Sequence, residues 1–173
     1  MTVDIGYDLV GMLPRLRRFA RAICGSADIA DDLVQATCAR ALAAANSWQP
    51  GTRLDAWLFR ILRNLWIDRL RRSRLEGTQL DVNDQRHLVG DHGEPAMEAR
   101  LTLDRVRSSI AALPGDQREV LVLVCLEEKS YMETADILEI PIGTVMSRLA
   151  RARKRLMTLV EPDNETASER GAE

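Results

Sequence analysis

Residues 130–156 read S-Y-M-E-T-A-D-I-L-E-I-P-I-G-T-V-M-S-R-L-A-R-A-R-K-R-L. A short apolar-periodic segment, Tyr131 to Leu138, is followed by a break at Glu139–Ile140–Pro141 and then by a long basic segment from Ile142 to about Val160. Ser130 and Glu133 have the spacing of a capping box, which marks the start of the first segment as a helix N-terminus. In the second segment Val145, Leu149, Ala152 and Leu156 recur at i, i+4, i+7 and i+11, one buried stripe of an amphipathic helix. Ala135 is small where the two helices approach. Short helix, tight turn and longer basic helix make the helix-turn-helix layout. The face opposite the stripe carries Thr144, Ser147, Arg148, Arg151 and Arg155. Its hydroxyls lie near a helix N-terminus, where backbone N–H groups favour phosphate. Its guanidiniums have the reach and fork geometry for guanine edges or phosphates. Arg153 and Lys154 flank that face and suit phosphate.

Outward from this stretch, nearly everything reads as helix. Sustained period-2 alternation of β-branched residues is absent, and apolar residues recur at three- and four-residue spacings. Leu9, Leu13, Leu16 and Phe19–Ala20 form one stripe that ends near Gly25. Asp28 is a candidate N-cap for a second helix through Leu33, Ala36, Ala39 and Leu42–Ala43. Ser47 to Gly51 is a loop by its Pro-Gly pair. A third helix runs from about Leu54 to Arg72, with Trp57–Leu58, Ile61–Leu62, Leu65–Trp66 and Leu70 on its inner face. The spacing of Trp57 and Trp66 favours core packing over a role as stacking platforms. Residues 75–96 lose the periodicity and read as a flexible acidic linker. Helices follow at Met97 to Leu113 and, after Pro114–Gly115, at Asp116 to Glu127, where Asp116 and Glu119 again have capping-box spacing. The tail 161–173 has the composition of a disordered end. The expectation is an all-α protein of two small helical domains, 8–74 and 97–160, joined by the linker 75–96, with the helix-turn-helix in the second.

The chain has 173 residues, 46% of them apolar and 29% charged, which is globular composition. Its net charge of -2 is partitioned. Residues 1–80 carry 12 Lys and Arg against 8 Asp and Glu, residues 81–100 carry 2 against 5, residues 101–160 carry 9 against 8, and the tail carries 1 against 5. Six arginines and one aspartate lie between Arg60 and Arg74, and five basic residues without an acid lie between Arg148 and Arg155. Two basic segments in a mildly acidic chain suit two contacts with a polyanion, although charge alone fits two solvated helix faces equally well.

Other classes of function find little support. Apolar runs fall short of the roughly 20 residues that span a bilayer, and Met1 to Leu13 lacks the pattern of a secretory signal. Cys24, Cys38 and Cys125 are odd in number and widely spaced, which suits a reducing cytoplasm and small buried hydrophobes rather than disulfides. His87, Asp91, His92 and Glu94 fall in the linker without rigid ligand geometry, so a metal site is not expected. A Ser-His-Asp set, a Gly-rich phosphate loop and a convergent carboxylate pair are all missing, so neither an enzyme nor a cofactor is expected.

The motifs resemble a known family. G-T-V-x-S-R-L-x-R-A-R, Gly143 to Arg153, is similar to the fourth conserved region of bacterial extracytoplasmic-function (ECF) sigma factors, and L-P-x-x-x-R-E-V-L, Leu113 to Leu121, to its lead-in. A-D-D-L-V-Q (Ala30–Gln35), A-W-L-F-R-I-L-R-N (Ala56–Asn64) and D-R-L-R-R (Asp68–Arg72) resemble that family's second region. The likeness covers about residues 8–74 and 98–158 in the family's order. It implies a cytoplasmic, non-enzymatic factor that joins core RNA polymerase, through the β′ clamp helices and the β flap, and directs it to −10 and −35 promoter elements. It implies polymerase contacts at Asp31, Asp32 and Gln35. For the −10 element it implies Arg60, Arg63, Asn64, Arg71 and Arg72, with the loop Asn46–Arg53 a candidate for holding a flipped base. For the −35 element it implies Thr144, Ser147, Arg148, Arg151, Arg153, Lys154 and Arg155. Stress-responsive control by an anti-sigma factor is the further expectation. Two residues depart from the family's pattern: Glu139 stands in the turn where glycine is frequent, and Met146 where a polar or basic residue is frequent. A sigma-like mimic that sequesters an anti-sigma factor and a dimeric helix-turn-helix repressor or activator are the alternatives. The mimic should lose the basic face that Arg148, Arg151 and Arg153 keep here.

Overall fold

A computed structural model describes residues 5–48, 51–77 and 97–160, with 97–102 as backbone alone. The linker and tail expectations, and the residues from His87 to Glu94, therefore fall almost wholly outside the described residues. Seven α-helices and no strand are present among those described: α1 Gly6–Cys24, α2 Ala27–Ala43, α3 Leu54–Leu75, α4 Met97–Ala111, α5 Gly115–Leu121, α6 Tyr131–Leu138 and α7 Ile142–Val160.

The first helical group is α1, α2 and α3. Leu9, Leu16, Phe19, Ala20 and Ile23 line the inner side of α1, which stops at Gly25, whose φ of 73° lets its N–H return to the Arg21 carbonyl. The cap of α2 is Ser26, whose hydroxyl accepts from the Ile29 N–H. Asp28 instead sits in the first turn, where a carboxylate suits the helix dipole without closing the end. Leu58, Phe59, Leu62 and Trp66 are the buried side of α3, and Phe59 meets Phe19 edge to face at 5.2 Å between ring centroids. Trp66 is thus a core residue, while Trp57 is half-buried at the rim. The helix runs on to Leu75, past the expected end at Arg72.

The second group is α4 to α7. The expected capping box at Asp116 does not form: α5 begins at Gly115 behind Pro114, and the Asp116 carboxylate takes the adjacent Gln117 N–H and the Arg148 guanidinium instead of the Glu119 N–H. Glu119 is drawn away by an arginine on α3. A π-helical turn, Val122–Leu126, follows α5, and it leaves Cys125 exposed, whereas Cys24 is buried and Cys38 half-buried. The Ser130–Glu133 capping box does form, with the Ser130 N–H donating to Glu133 at 2.8 Å and the Glu133 N–H to Ser130 at 3.2 Å. Val145, Leu149 and Ala152 of α7 are buried against α5 and α6.

The helix-turn-helix turns at Glu139, which holds φ 52° and ψ 46°. This is the left-handed region, costly for any residue with a Cβ. Replacing Glu139 by Gly removes that strain while adding freedom to the unfolded chain. The expected net gain is about 0.5–1 kcal/mol, read as a higher denaturation midpoint in urea; a loss of stability would show the turn to be unstrained.

The two groups, read in sequence as modules on a tether, lie against one another. α1 packs on α5 and the π turn, and α3 packs on α6. Ion pairs cross the seam, with partners more than fifty residues apart along the chain.

Candidate nucleic-acid interface

On α7 the apolar stripe fixes which side faces outward. Arg151, Arg153, Lys154 and Arg155 are exposed, and among the described residues none has a carboxylate within 4.0 Å. Thr144 and Ser147 are half-buried beside them; the Ser147 hydroxyl donates to the Thr144 carbonyl at 3.1 Å and accepts from Arg151 at 3.4 Å. Arg148 differs, because its guanidinium is paired with Asp116 of α5 at 3.2 Å. Reaching outward would cost it that partner. Met146 is exposed and presents a thioether on the outward side of α7.

On α3 the predicted residues fall into two sets. Arg71 and Arg72 are exposed, Arg71 within 3.6 Å of Asp68 on its own helix. Arg60, Arg63 and Asn64 lie further in and line a groove of about 750 Å³, whose opposite wall is Leu138, Glu139 and Ile140 of the helix-turn-helix turn. Arg60 donates to the Asp136 carbonyl at 2.8 Å, and Arg63 to Glu119 at 3.4 Å. Burial pushes the Glu119 carboxyl above its ordinary range, and Arg63 and Arg148 pull it back. Two of the five predicted −10 residues are thus held by the second helical group. Of the loop Asn46–Arg53, the described residues Asn46, Ser47, Gly51, Thr52 and Arg53 are exposed, and Gly51 takes φ 94°.

On α2 the three predicted polymerase contacts share one accessible surface. Asp32 and Gln35 are exposed and Asp31 is half so. Arg17 stands 3.6 Å from Asp31 and Arg69 3.6 Å from Asp32. These are loose surface pairs, worth ~0–1 kcal/mol each, and leave both carboxylates available.

The seam itself was not legible in the sequence. Glu127, its side chain fully buried, receives Arg15 Nε at 2.8 Å and Arg18 Nε at 2.7 Å from α1, and its carbonyl accepts from Arg15 Nη2 at 3.3 Å. Asp55, at the start of α3, pairs with the buried Lys129 and with Arg53 and Arg15. Burial pushes the Asp55 carboxyl up, but Lys129 and Arg53 outweigh it and hold it at about 2. Arg53 also reaches Glu133 of α6. Arg118 donates to the Ala22 carbonyl of α1 and to the Ala111 and Leu113 carbonyls. The only sequence signal was the acid–acid–base run Glu127–Glu128–Lys129 at a helix end, and its partners are 112 residues away in the case of Arg15.

Residues 9–76 match the sigma-70 region 2 model and residues 103–156 the sigma-70 region 4 model. The chain belongs to the sigma-70 family. Within it the relatives are ECF sigma factors. EcfG of Rhodopseudomonas palustris is 41% identical over 163 residues, covering 94% of this chain and 88% of the relative. Among solved structures, the sigma factor RpoE of Bartonella quintana, in complex with the anti-sigma factor NepR, aligns with a TM-score of 0.75 at 36% identity over 93% of this chain and 99% of that one. CnrH, in complex with the cytosolic domain of CnrY, aligns with a TM-score of 0.66 at 28% identity over 92% of this chain and 89% of that one. The helix-turn-helix thus lies within the family's region 4, and this sigma factor is a transcription initiation factor of the ECF branch. Among the described residues no helix is long and apolar enough to cross a membrane.

Proposed function

We propose that this sigma factor joins core RNA polymerase through Asp31, Asp32 and Gln35 on the clamp helices of β′ and through its second helical group on the β flap. In the assembled enzyme α3 meets the −10 element, α7 reads the −35 element, and the protein works in the cytoplasm. Arg60, Arg63, Asn64, Arg71 and Arg72 are the −10 contacts; Thr144, Ser147, Arg148, Arg151, Arg153, Lys154 and Arg155 are the −35 contacts. The observation that carries this reading is the outward face of α7, four cations without counter-charge among the described residues on a helix whose other side is core. A mimic that only captured an anti-sigma factor has no use for that face. Relatives solved with NepR and with CnrY make an anti-sigma partner, and with it stress-responsive release, part of the proposal.

Within α7, Arg151 is the base reader, because it projects from the middle of the helix on the face of Thr144 and Ser147 and is braced by Ser147. A bidentate pair to guanine discriminates by roughly 1–3 kcal/mol. Arg151→Ala is expected to relax base preference at one or two −35 positions. Lys154→Ala is expected to weaken all promoters about equally and to lower the salt slope by roughly one unit. The measurement is transcription from a panel of −35 variants with each protein at two salt concentrations. Identical preference profiles for wild type and Arg151→Ala would remove the base-reading role.

A further inference from the structure

The helix α7 contains no aspartate or glutamate, and its outward side carries two different rows of side chains. Gly143, Ser147, Arg151 and Arg155 follow one another at intervals of four residues, and so do Ile142, Met146, Ala150 and Lys154. Rows of that spacing form adjacent ridges on a helix surface. The first ridge is built for hydrogen bonding. Arg151 donates to the Ser147 hydroxyl at 3.4 Å, and among the described residues neither Arg151 nor Arg155 has a carboxylate within 4.0 Å. The second ridge is apolar through its first three residues, all of them exposed, with Met146 at 48%.

A single exposed apolar side chain is ordinary on a protein surface. The setting of Met146 is not. Gly143 and Ala150, one turn before it and one turn after, are both small, and with Ser147 the four residues frame one spot at i, i+3, i+4 and i+7. Nothing inside the protein calls for glycine at 143: its backbone is helical, and a Cβ built there meets no atom within 4 Å. Alanine would favour the helix more. The room that Gly143 leaves is therefore on the outer surface, above Met146 and Ser147. On the other flank Arg148 is drawn to Asp116 at 3.2 Å, so the free part of the surface is the part that Met146 borders.

The major groove of a DNA duplex offers hydrogen-bonding base edges and one apolar group, the C5 methyl of thymine. A hydroxyl and guanidinium ridge beside an apolar ridge matches both. The thioether of methionine is flexible and polarisable, which lets it close on a small methyl. We propose that Met146 is a specificity-determining residue of α7, packing its thioether on the C5 methyl of one thymine in the −35 element while Gly143 and Ala150 leave room for the base pair to approach. The inference rests on the assignment of α7 to the −35 duplex and adds a methyl contact to the guanine contact of Arg151. Met146 and Arg151 are five residues apart, about 7.5 Å along the helix axis, so the thymine lies within about two base pairs of that guanine.

The test uses the full chain assembled with core RNA polymerase and a promoter fragment selected by its transcription from sheared genomic DNA. Each thymine of the −35 segment, on either strand, is replaced singly by deoxyuridine, which removes the C5 methyl and nothing else. Affinity of the assembled enzyme for each duplex is read by competition in fluorescence anisotropy, for wild type, Met146→Ala and Met146→Leu. With wild type, deoxyuridine at one position is expected to weaken binding about fourfold, the worth of one buried methyl. That penalty is expected to vanish in Met146→Ala and to persist in Met146→Leu, which keeps an apolar side chain of similar volume. The absence of any methyl-sensitive thymine, or a penalty that survives unchanged in Met146→Ala, overturns the role of Met146. A penalty lost equally in Met146→Leu overturns apolar packing as its cause. Equal transcription from the promoter and from a copy with its −35 segment scrambled would strike the assignment of α7 and the inference with it. A −35 requirement without a methyl-sensitive thymine strikes Met146 alone.

Discussion

Arg118→Ala is expected to cost about 3–4 kcal/mol of folding stability, the largest loss of any single substitution considered for this chain. Arg118 is 6% exposed, and its guanidinium donates at 3.1 Å to the Ala22 carbonyl, at 2.7 Å to that of Ala111 and at 2.7 Å to that of Leu113. Ala22 is in the last turn of α1, and Ala111 is the final residue of α4. Both carbonyls belong to the set a helix leaves without an internal partner. One side chain thus caps two helix C-termini from the two helical groups, with its positive charge where both dipoles favour it. Burial pulls the guanidinium below its ordinary range, and the nearby Cys24 and Glu119 oppose that shift. Truncation leaves three acceptors unmet at once, the Leu113 carbonyl buried and those of Ala22 and Ala111 half-buried, and a hydrogen bond to a charged group contributes about 1.5–3 kcal/mol, not additively. Lysine reaches one carbonyl but lacks the planar fork, so Arg118→Lys should lose about half as much. Urea denaturation followed by circular dichroism measures both. A loss below about 1 kcal/mol for the alanine variant would mean that the three carbonyls find other donors.

Arg118 also shows where sequence reading stops. It was visible as the arginine of L-P-x-x-x-R-E-V-L, but its acceptors are backbone carbonyls, which carry no residue signature. The all-α class, the helix-turn-helix and the buried stripe of α7 were legible, because periodicity and capping act within a few residues. The Ser130–Glu133 box succeeded and the Asp116–Glu119 box failed although both have the same spacing. The difference is tertiary: Glu119 lies opposite Arg63 of α3, which competes for the carboxylate that would have turned back to its own helix. The cap of α2 fell to Ser26 rather than Asp28 because α1 ends so close, at the left-handed Gly25, that the chain re-enters helix two residues earlier. Cys125 was misplaced for a related reason: the π turn shifts register, and a position apolar by helical count faces water. The −10 residues were named from α3 alone, and nothing local to Arg60 or Arg63 tells that the other half of the chain occupies them.

Reversing charge at Asp31 and Asp32 is expected to weaken binding to core polymerase about 100-fold, some 2.8 kcal/mol, with the fold retained. The two carboxylates sit on α2, Asp32 exposed and Asp31 half-exposed, so a partner has access to both. Their own partners, Arg17 and Arg69, stand 3.6 Å away and are themselves partly exposed. Replacing both acids by lysine therefore sacrifices two weak surface pairs and adds two like-charge contacts, each a matter of roughly half a kcal/mol or less for stability. Across an interface the balance differs, because a cation that met a carboxylate then meets a like charge in a partly desolvated site, at a cost of several kcal/mol. Asp31→Asn/Asp32→Asn separates the two effects, since it removes attraction without repulsion and should lose about tenfold. Affinity is read by fluorescence anisotropy of labelled sigma factor against core enzyme, with the denaturation midpoint of each variant as the check on fold. Equal affinity of the lysine variant and wild type, at unchanged stability, would move the polymerase contact off α2.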